Sequence, residues 1–186
     1  MPFRNVTAGV GLVGGSAVGV PVRYLDFAEE LGESLGLAGF GLVYGGSAVG
    51  VVGAAVHAAI RVGAHVVGIV PHGSLRTGAP LASGSELHVV RTAVEGDRLM
   101  RRLAGGFVVL PGGLATVAQV GALAAGPFGP VVLVNQDGYF DPLLAMLDHA
   151  VAEAFVTHDE RRVIEIADTV DGVLHHLGLP TLVVRS

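Results

Sequence analysis

The sequence predicts an α/β domain: an open parallel sheet with helices packed on both faces. Three observations predict it. Segments of strand and helix character alternate along almost the whole chain, as in parallel sheets linked by helical crossovers. The strand segments are continuous runs of Val, Ile and Leu without polar alternation, as strands covered on both faces require. Three of them stop at glycine pairs, Gly14-Gly15-Ser16, Gly45-Gly46-Ser47 and Gly112-Gly113, which suits turns at the carboxyl edge of such a sheet.

The elements follow in order. Val6–Val13 is a first buried strand. Val22–Leu37 has apolar residues at helical spacing, with Glu29, Glu30 and Glu33 on the solvent side. Phe40–Tyr44 is a second strand. Val51–Val62 is an Ala/Val helix with almost no polar face, which predicts burial on most sides and a dimer that buries it. His65–Val70 is a third strand, closed by Pro71, and Gly73–Gly84 reads as a loop. Glu86–Val90 is a short strand, Glu95–Ala104 a helix, Phe107–Leu110 a strand and Thr116–Ala125 its helix. Pro130–Val134 is a further strand. Asp141-Pro142 starts an amphipathic helix running to Phe155. Val163–Ile166 and Val170–Leu177 are a last strand and helix. One domain over residues 1–180 is expected, with a tail at 181–186.

Composition excludes several kinds of chemistry. The chain has 186 residues, enough for one real core. A formal charge of −5 without any basic run argues against a nucleic-acid partner. There is no cysteine, so thiolate chemistry and disulfides are absent. All 11 basic residues are arginine, which removes a phosphate-loop lysine and Schiff-base chemistry with pyridoxal phosphate. No uninterrupted apolar stretch has the length of a membrane span, and no signal pattern opens the chain. A soluble cytoplasmic protein with no membrane partner is therefore expected. The histidines show no metal-ligand spacing, and His175-His176 is a poor metal pair on a helix. Neither a metal nor a cofactor is expected.

In an open α/β sheet, ligands bind beyond the carboxyl ends of the strands. Glycine turns there can aim backbone N–H groups at an anion, aided by the positive end of the next helix. The phosphate candidates are therefore Gly15, Ser16, Gly45, Gly46, Ser47, Gly112, Gly113, Leu114, Ala115 and Thr116. Ser16 and Ser47 are equally well placed to cap the following helices. His72, after Pro71, is in reach of the same edge. Asn135, Asp137 and Tyr139 follow another strand, where an Asp-Gly turn accounts for them equally well.

These segments together resemble the LONELY GUY (LOG) family, cytokinin riboside 5′-monophosphate phosphoribohydrolases often misnamed lysine decarboxylases. "GLVYGGSAVGVVGAAVHAA" (Gly41–Ala59) is similar to the family's LVYGGG-x-x-GLMG segment. "HVVGIVP" is similar to its VIGVIP strand, and "ELHVV" to the segment before its arginine helix. "LPGGLAT" is similar to its PGG-x-GT-x-x-E hallmark, and "VNQDGYFDPLLAMLDHAVAEAFV" (Val134–Val156) to its GYYDPLL stretch. The resemblance covers nearly the whole chain. It implies a Rossmann-like fold, a dimer, and cleavage of the N-glycosidic bond of a nucleoside 5′-monophosphate. It also implies a carboxylate beside C1′ that stabilises an oxocarbenium-like transition state and activates water, with an Arg-Lys pair on the preceding helix.

The departures concern the chemistry itself. The hallmark glutamate position is Gln119, a neutral amide that cannot act as a base. The hallmark glycine position is Ala115. The Arg-Lys pair falls on Gly96 and Asp97, while Arg98 lies displaced by about 100° per residue around the helix and Arg102, one turn on from Arg98, is a further candidate for holding the phosphate or nucleotide. Between Val120 and Pro130 the chain is several residues shorter than the family pattern.

Three readings stand. One is an N-glycosidase with an altered substrate, using Gln119, Arg98 and a substitute acid, Glu95 or Asp97; both acids equally suit the positive end of their helix. Another is a protein that holds a nucleotide or phosphorylated pterin-like cofactor without turnover, as a molybdenum-cofactor carrier of the same superfamily does. The last is a pseudoenzyme completing an active paralogue as a heteromer.

Overall fold

The computed structural model describes residues 9–76, 81–126 and 129–178. Among them, seven parallel strands form one sheet in the order β4-β3-β2-β1-β5-β6-β7. The strands are β1 (Gly9–Val13), β2 (Leu42–Gly45), β3 (Val66–Pro71), β4 (Glu86–Val90), β5 (Ala104–Val109), β6 (Val131–Val134) and β7 (Ile164–Ala167). The helices are α1 (Val22–Leu37), α2 (Gly50–Arg61), α3 (His72–Arg76), α4 (Ala93–Leu103), α5 (Leu114–Ala124), α6 (Asp141–Ala152), α7 (His158–Arg162) and α8 (Val170–His176). The chain winds outward from β1 to β4, returns to β5 beside β1, and winds out the other way. The order reverses between β1 and β5, which in doubly wound sheets marks where ligands bind.

The alternating expectation holds, with small corrections at the ends. The loop expected at 73–84 begins with the short helix α3. The helix expected to reach Phe155 stops at Ala152, where Ala154 takes the left-handed region at φ 61, and α7 follows with a Thr157/Glu160 capping box. Val6–Ala8, the tail from Pro180 and the 180/181 boundary lie outside the described residues.

Side chains alternate between two cores because successive strand residues point to opposite faces. On one face Leu12, Leu42, Tyr44, Val108 and Val132 pack with α1, α2 and α8. On the other Val43, Ile69, Phe107, Val109 and Leu133 pack with α4, α5 and α6. Tyr44 pairs across the strands with Gly68, and its ring occupies the space a Gly68 side chain would need.

The buried helix α2 calls for a correction. Its apolar face is covered within the chain: α1 crosses it so closely that a Cβ on Gly32 would strike the backbone of Ala55. Helix α2 therefore gives no reason for a dimer. Helix α5 does have an unpartnered face. It carries no charge, yet Leu114, Ala115, Val117 and Gly121 are exposed on it.

Candidate functional site

The turns after β1 and β5 are tied to each other. Leu110 N–H donates to the Val13 carbonyl at 2.8 Å and Gly15 N–H to the Pro111 carbonyl at 3.0 Å. Gly46 N–H likewise donates to the Ile69 carbonyl at 3.0 Å. Two amides expected to face an anion are thus engaged by carbonyls. Neither Ser16 nor Ser47 caps a helix: the cap positions of α1 and α2 are Pro21 and Val49, without side-chain cap bonds.

The first turn of α5 is different. Its cap is Gly113, with no side-chain cap bond, and the leading amides of a helix have no intrahelical partner. Leu114 and Ala115 are exposed there, while Thr116 is buried with its hydroxyl where a Gly112 side chain would lie. This is the glycine turn whose amides suit an anion.

Beside it, a cavity of about 260 Å³ opens over the carboxyl ends of β1, β2 and β3. Its walls include Gly14, Gly45, Gly46 and Ile69 from the sheet edge, Ser74 of α3, Ala93, Gly96, Asp97 and Met100 of α4, and Gln119 of α5. Asp97 is the one charged side chain among these lining residues. A second cavity of about 240 Å³ between α4 and α5 shares Val13, Asp97, Met100 and Gln119; Arg101 of α4 also borders it, and the rest is apolar, with Phe107, Ala118, Ala122 and Leu123. Asp97 and Gln119 therefore stand on the ridge common to both spaces. Ser74 was missed in the sequence, because its segment reads as plain loop; its place just past β3 was the available signal.

Helix geometry separates the other candidates. Residues 93, 96, 97 and 100 share one face of α4 at helical spacing, and that face lines the cavity. Glu95, Arg98 and Arg102 lie on the opposite face, with Arg91 and Val94, around an open groove of about 600 Å³. Glu95 is occupied at the helix start. Its carboxylate accepts from the Arg91 N–H at 2.9 Å, and its own N–H donates to Thr92 Oγ1 at 3.1 Å. The structure does not bring Glu95, Arg98 or Arg102 to Gln119.

Gly15, Gly112 and Gly113 line a shallower recess with Tyr24 and Tyr139. Tyr139 donates its hydroxyl to the Gly112 carbonyl at 2.8 Å and packs edge-on to Tyr24. Asn135 Oδ1 accepts from the Phe140 N–H at 2.7 Å, and Asn135 Nδ2 donates to Asp141 at 2.8 Å. Asp137, at φ 53, pairs with Arg23 at 2.7 Å. Here the turn accounts for Asn135 and Asp137, while Tyr139 braces the glycine turn.

His72 is exposed and is absent from the cavity walls given above. His65 and His88 both contact Glu86, through Nε2 at 2.9 and 2.7 Å. Among the described residues no group of His, Asp and Glu has metal-site geometry, and no helix is long and apolar enough to cross a membrane.

Comparison with known proteins agrees with this architecture. The family model described as "Possible lysine decarboxylase" matches residues 52–177. The chain is 38% identical over 163 residues to the cytokinin riboside 5′-monophosphate phosphoribohydrolase LOG of Oryza sativa subsp. japonica, covering 83% of this chain and 66% of that protein. It thus spans about two thirds of the rice protein's length. It is 32% identical over 174 residues to the phosphoribohydrolase of Rhodococcoides fascians, covering 89% of this chain and 87% of the relative. Among solved structures, the molybdenum cofactor binding protein of Rippkaea orientalis superposes with a TM-score of 0.71 at 21% identity, covering 91% of this chain and 94% of that one. At that identity the likeness establishes the fold alone. From the family match and the relatives' identity over most of its length, the chain belongs to the LOG family of Rossmann-like proteins, the family also described as possible lysine decarboxylases.

Proposed function

We propose that this chain binds a nucleoside 5′-monophosphate at the carboxyl edge of its sheet and hydrolyses its N-glycosidic bond. The observation that carries the reading is the neighbourhood of the α5 glycine turn. An anion-compatible helix start leads along one helix to Gln119 and the 260 Å³ cavity. Leu114 and Gln119 are separated by about 7.5 Å of helix rise, the scale of one ribose ring and its phosphate. The 5′-phosphate lies on the amides of Leu114, Ala115 and Thr116, and the sugar points toward Gln119. The phosphoribohydrolase names of the relatives support the reaction class.

The test is incubation with AMP and with N6-prenylated AMP, following free base and ribose 5-phosphate by chromatography. Release of both products from either nucleotide is expected. Tight binding without release would leave a nucleotide-holding protein instead, a reading favoured by the neutral Gln119 at the hallmark position.

We also infer a homodimer formed through α5. Leu114 is 90% exposed and Val117 38% on a helix without a charged residue. An apolar face of this kind suits a second copy of the same chain.

A further inference from the structure

We propose that Asp97 is the catalytic carboxylate of this chain, acting from α4 on the ridge it shares with the neutral Gln119 of α5. The proposal rests on the hydrolytic reading above and names the group that carries it.

Arg91, Arg98 and Arg102 lie around the groove on the side away from the 260 Å³ cavity, while Arg101 borders the second cavity with Asp97 and donates to the Ala122 carbonyl of α5 at 3.2 Å. Asp97 faces away from that groove, between Gly96 and Met100, on the wall of both cavities. Gly96 and Met100 are buried, so the cavity-facing side of the helix is held against the sheet edge and does not swing freely. Asp97 is thus delivered to the site by the same periodicity that carries Glu95 and Arg98 out of it.

Neither the Asp97 carboxylate nor the Gln119 amide has a hydrogen-bond or ion-pair partner among the described residues. Four other exposed acids, Glu86, Asp137, Asp148 and Glu95, accept hydrogen bonds; what distinguishes Asp97 is its place on the wall of the cavity. The Asp97 carboxylate, exposed on α4, and the half-buried Gln119 amide stand on one ridge with Ser74 and Arg101 on the adjoining walls, and their bonding capacity is available to a ligand.

The pairing also explains the amide. A second carboxylate at position 119 would place like charges on one small site and push one of them toward its neutral form. With Gln119 the single negative charge stays on Asp97, and the amide can donate to a ribose hydroxyl or to water.

In the step itself, the glycosidic bond breaks with its electron pair passing to the base nitrogen, and C1′ becomes cationic. Asp97 stabilises that charge and takes a proton from water as the water oxygen bonds to C1′. The proton passes to the departing base. The products are free base and ribose 5-phosphate, with one water consumed.

The experiment compares wild type, Asp97→Asn, Asp97→Glu and Glu95→Gln for base release from AMP and N6-prenylated AMP, with AMP binding by calorimetry and melting temperature on each. Expected is a loss in kcat on the order of 10²-fold or more in Asp97→Asn, with AMP binding and melting temperature retained, partial rescue in Asp97→Glu, and a smaller effect in Glu95→Gln. Wild-type turnover in Asp97→Asn overturns the proposal and leaves the hydrolytic reading standing. So does loss in Glu95→Gln with activity kept in Asp97→Asn. Absence of base release from wild type overturns both, and AMP binding then tells a silent nucleotide site from a site for another ligand.

Discussion

The Gly15 amide donates to the Pro111 carbonyl at 3.0 Å, so the turns at the two central strands β1 and β5 form one hydrogen-bonded unit. Gly112 sits inside this unit. A Cβ there would overlap the Thr116 hydroxyl and approach the Gly15 nitrogen to 2.6 Å. Neither neighbour can yield, because Thr116 is buried at the helix start and Gly15 is tied to Pro111. Gly112→Ala is expected to cost about 1–3 kcal/mol by overpacking and to abolish nucleotide binding. Denaturant unfolding and calorimetry with AMP check both; unchanged AMP affinity would remove this turn from the site.

Tyr44 is fully buried, and its hydroxyl accepts from the Ala82 N–H at 3.3 Å, with Ser85 Oγ at 3.5 Å. The bond holds the segment before β4 against the sheet. Tyr44→Phe keeps the ring over Gly68 and leaves the buried Ala82 amide without that acceptor. The expected loss is about 1–2 kcal/mol, read as a lower denaturant midpoint at unchanged slope.

Glu86 on β4 accepts from both His65 and His88. These bonds, from His88 first and His65 second, hold its carboxyl below the ordinary glutamate range. With the folded pKa depressed, ionised Glu86 stabilises the fold above the unfolded value, about 4.3. That contribution disappears as pH falls through the folded value. The side chains are largely exposed, so the gain is about 0.5 kcal/mol or less and is screened by salt. Wild type is therefore expected to exceed Glu86→Gln slightly in melting temperature near neutrality and to match it in acid. A gap that widens on acidification would contradict the assignment.

The uncharged outer face of α5 predicts self-association. Light scattering after size exclusion is expected to give twice the 18.9 kDa of one chain. Val117→Asp places a charge on that face and is expected to yield the single-chain mass without loss of melting cooperativity. A monomeric wild type would exclude the α5 dimer.

The fold was legible in the sequence because its cause is local and repetitive. Unbroken apolar runs such as Val131–Val134 require cover on both faces, and the intervening helices declare themselves through spacing and glycine stops. The family was legible through "LPGGLAT" and the segments around it. The identity of the group at position 119 was legible too, since one letter separates an acid from an amide. What tertiary structure alone decided was direction. Glu95, Asp97 and Arg98 are near neighbours in sequence, yet only Asp97 reaches the cavity, because the orientation of α4 is set by Gly96 and Met100 packing on the sheet. Glycine turns that look equivalent as text likewise differ in space. The amides of Gly15 and Gly46 are consumed by carbonyls remote in sequence. The first turn of α5 lies at a helix start, where the leading amides have no partner to consume them.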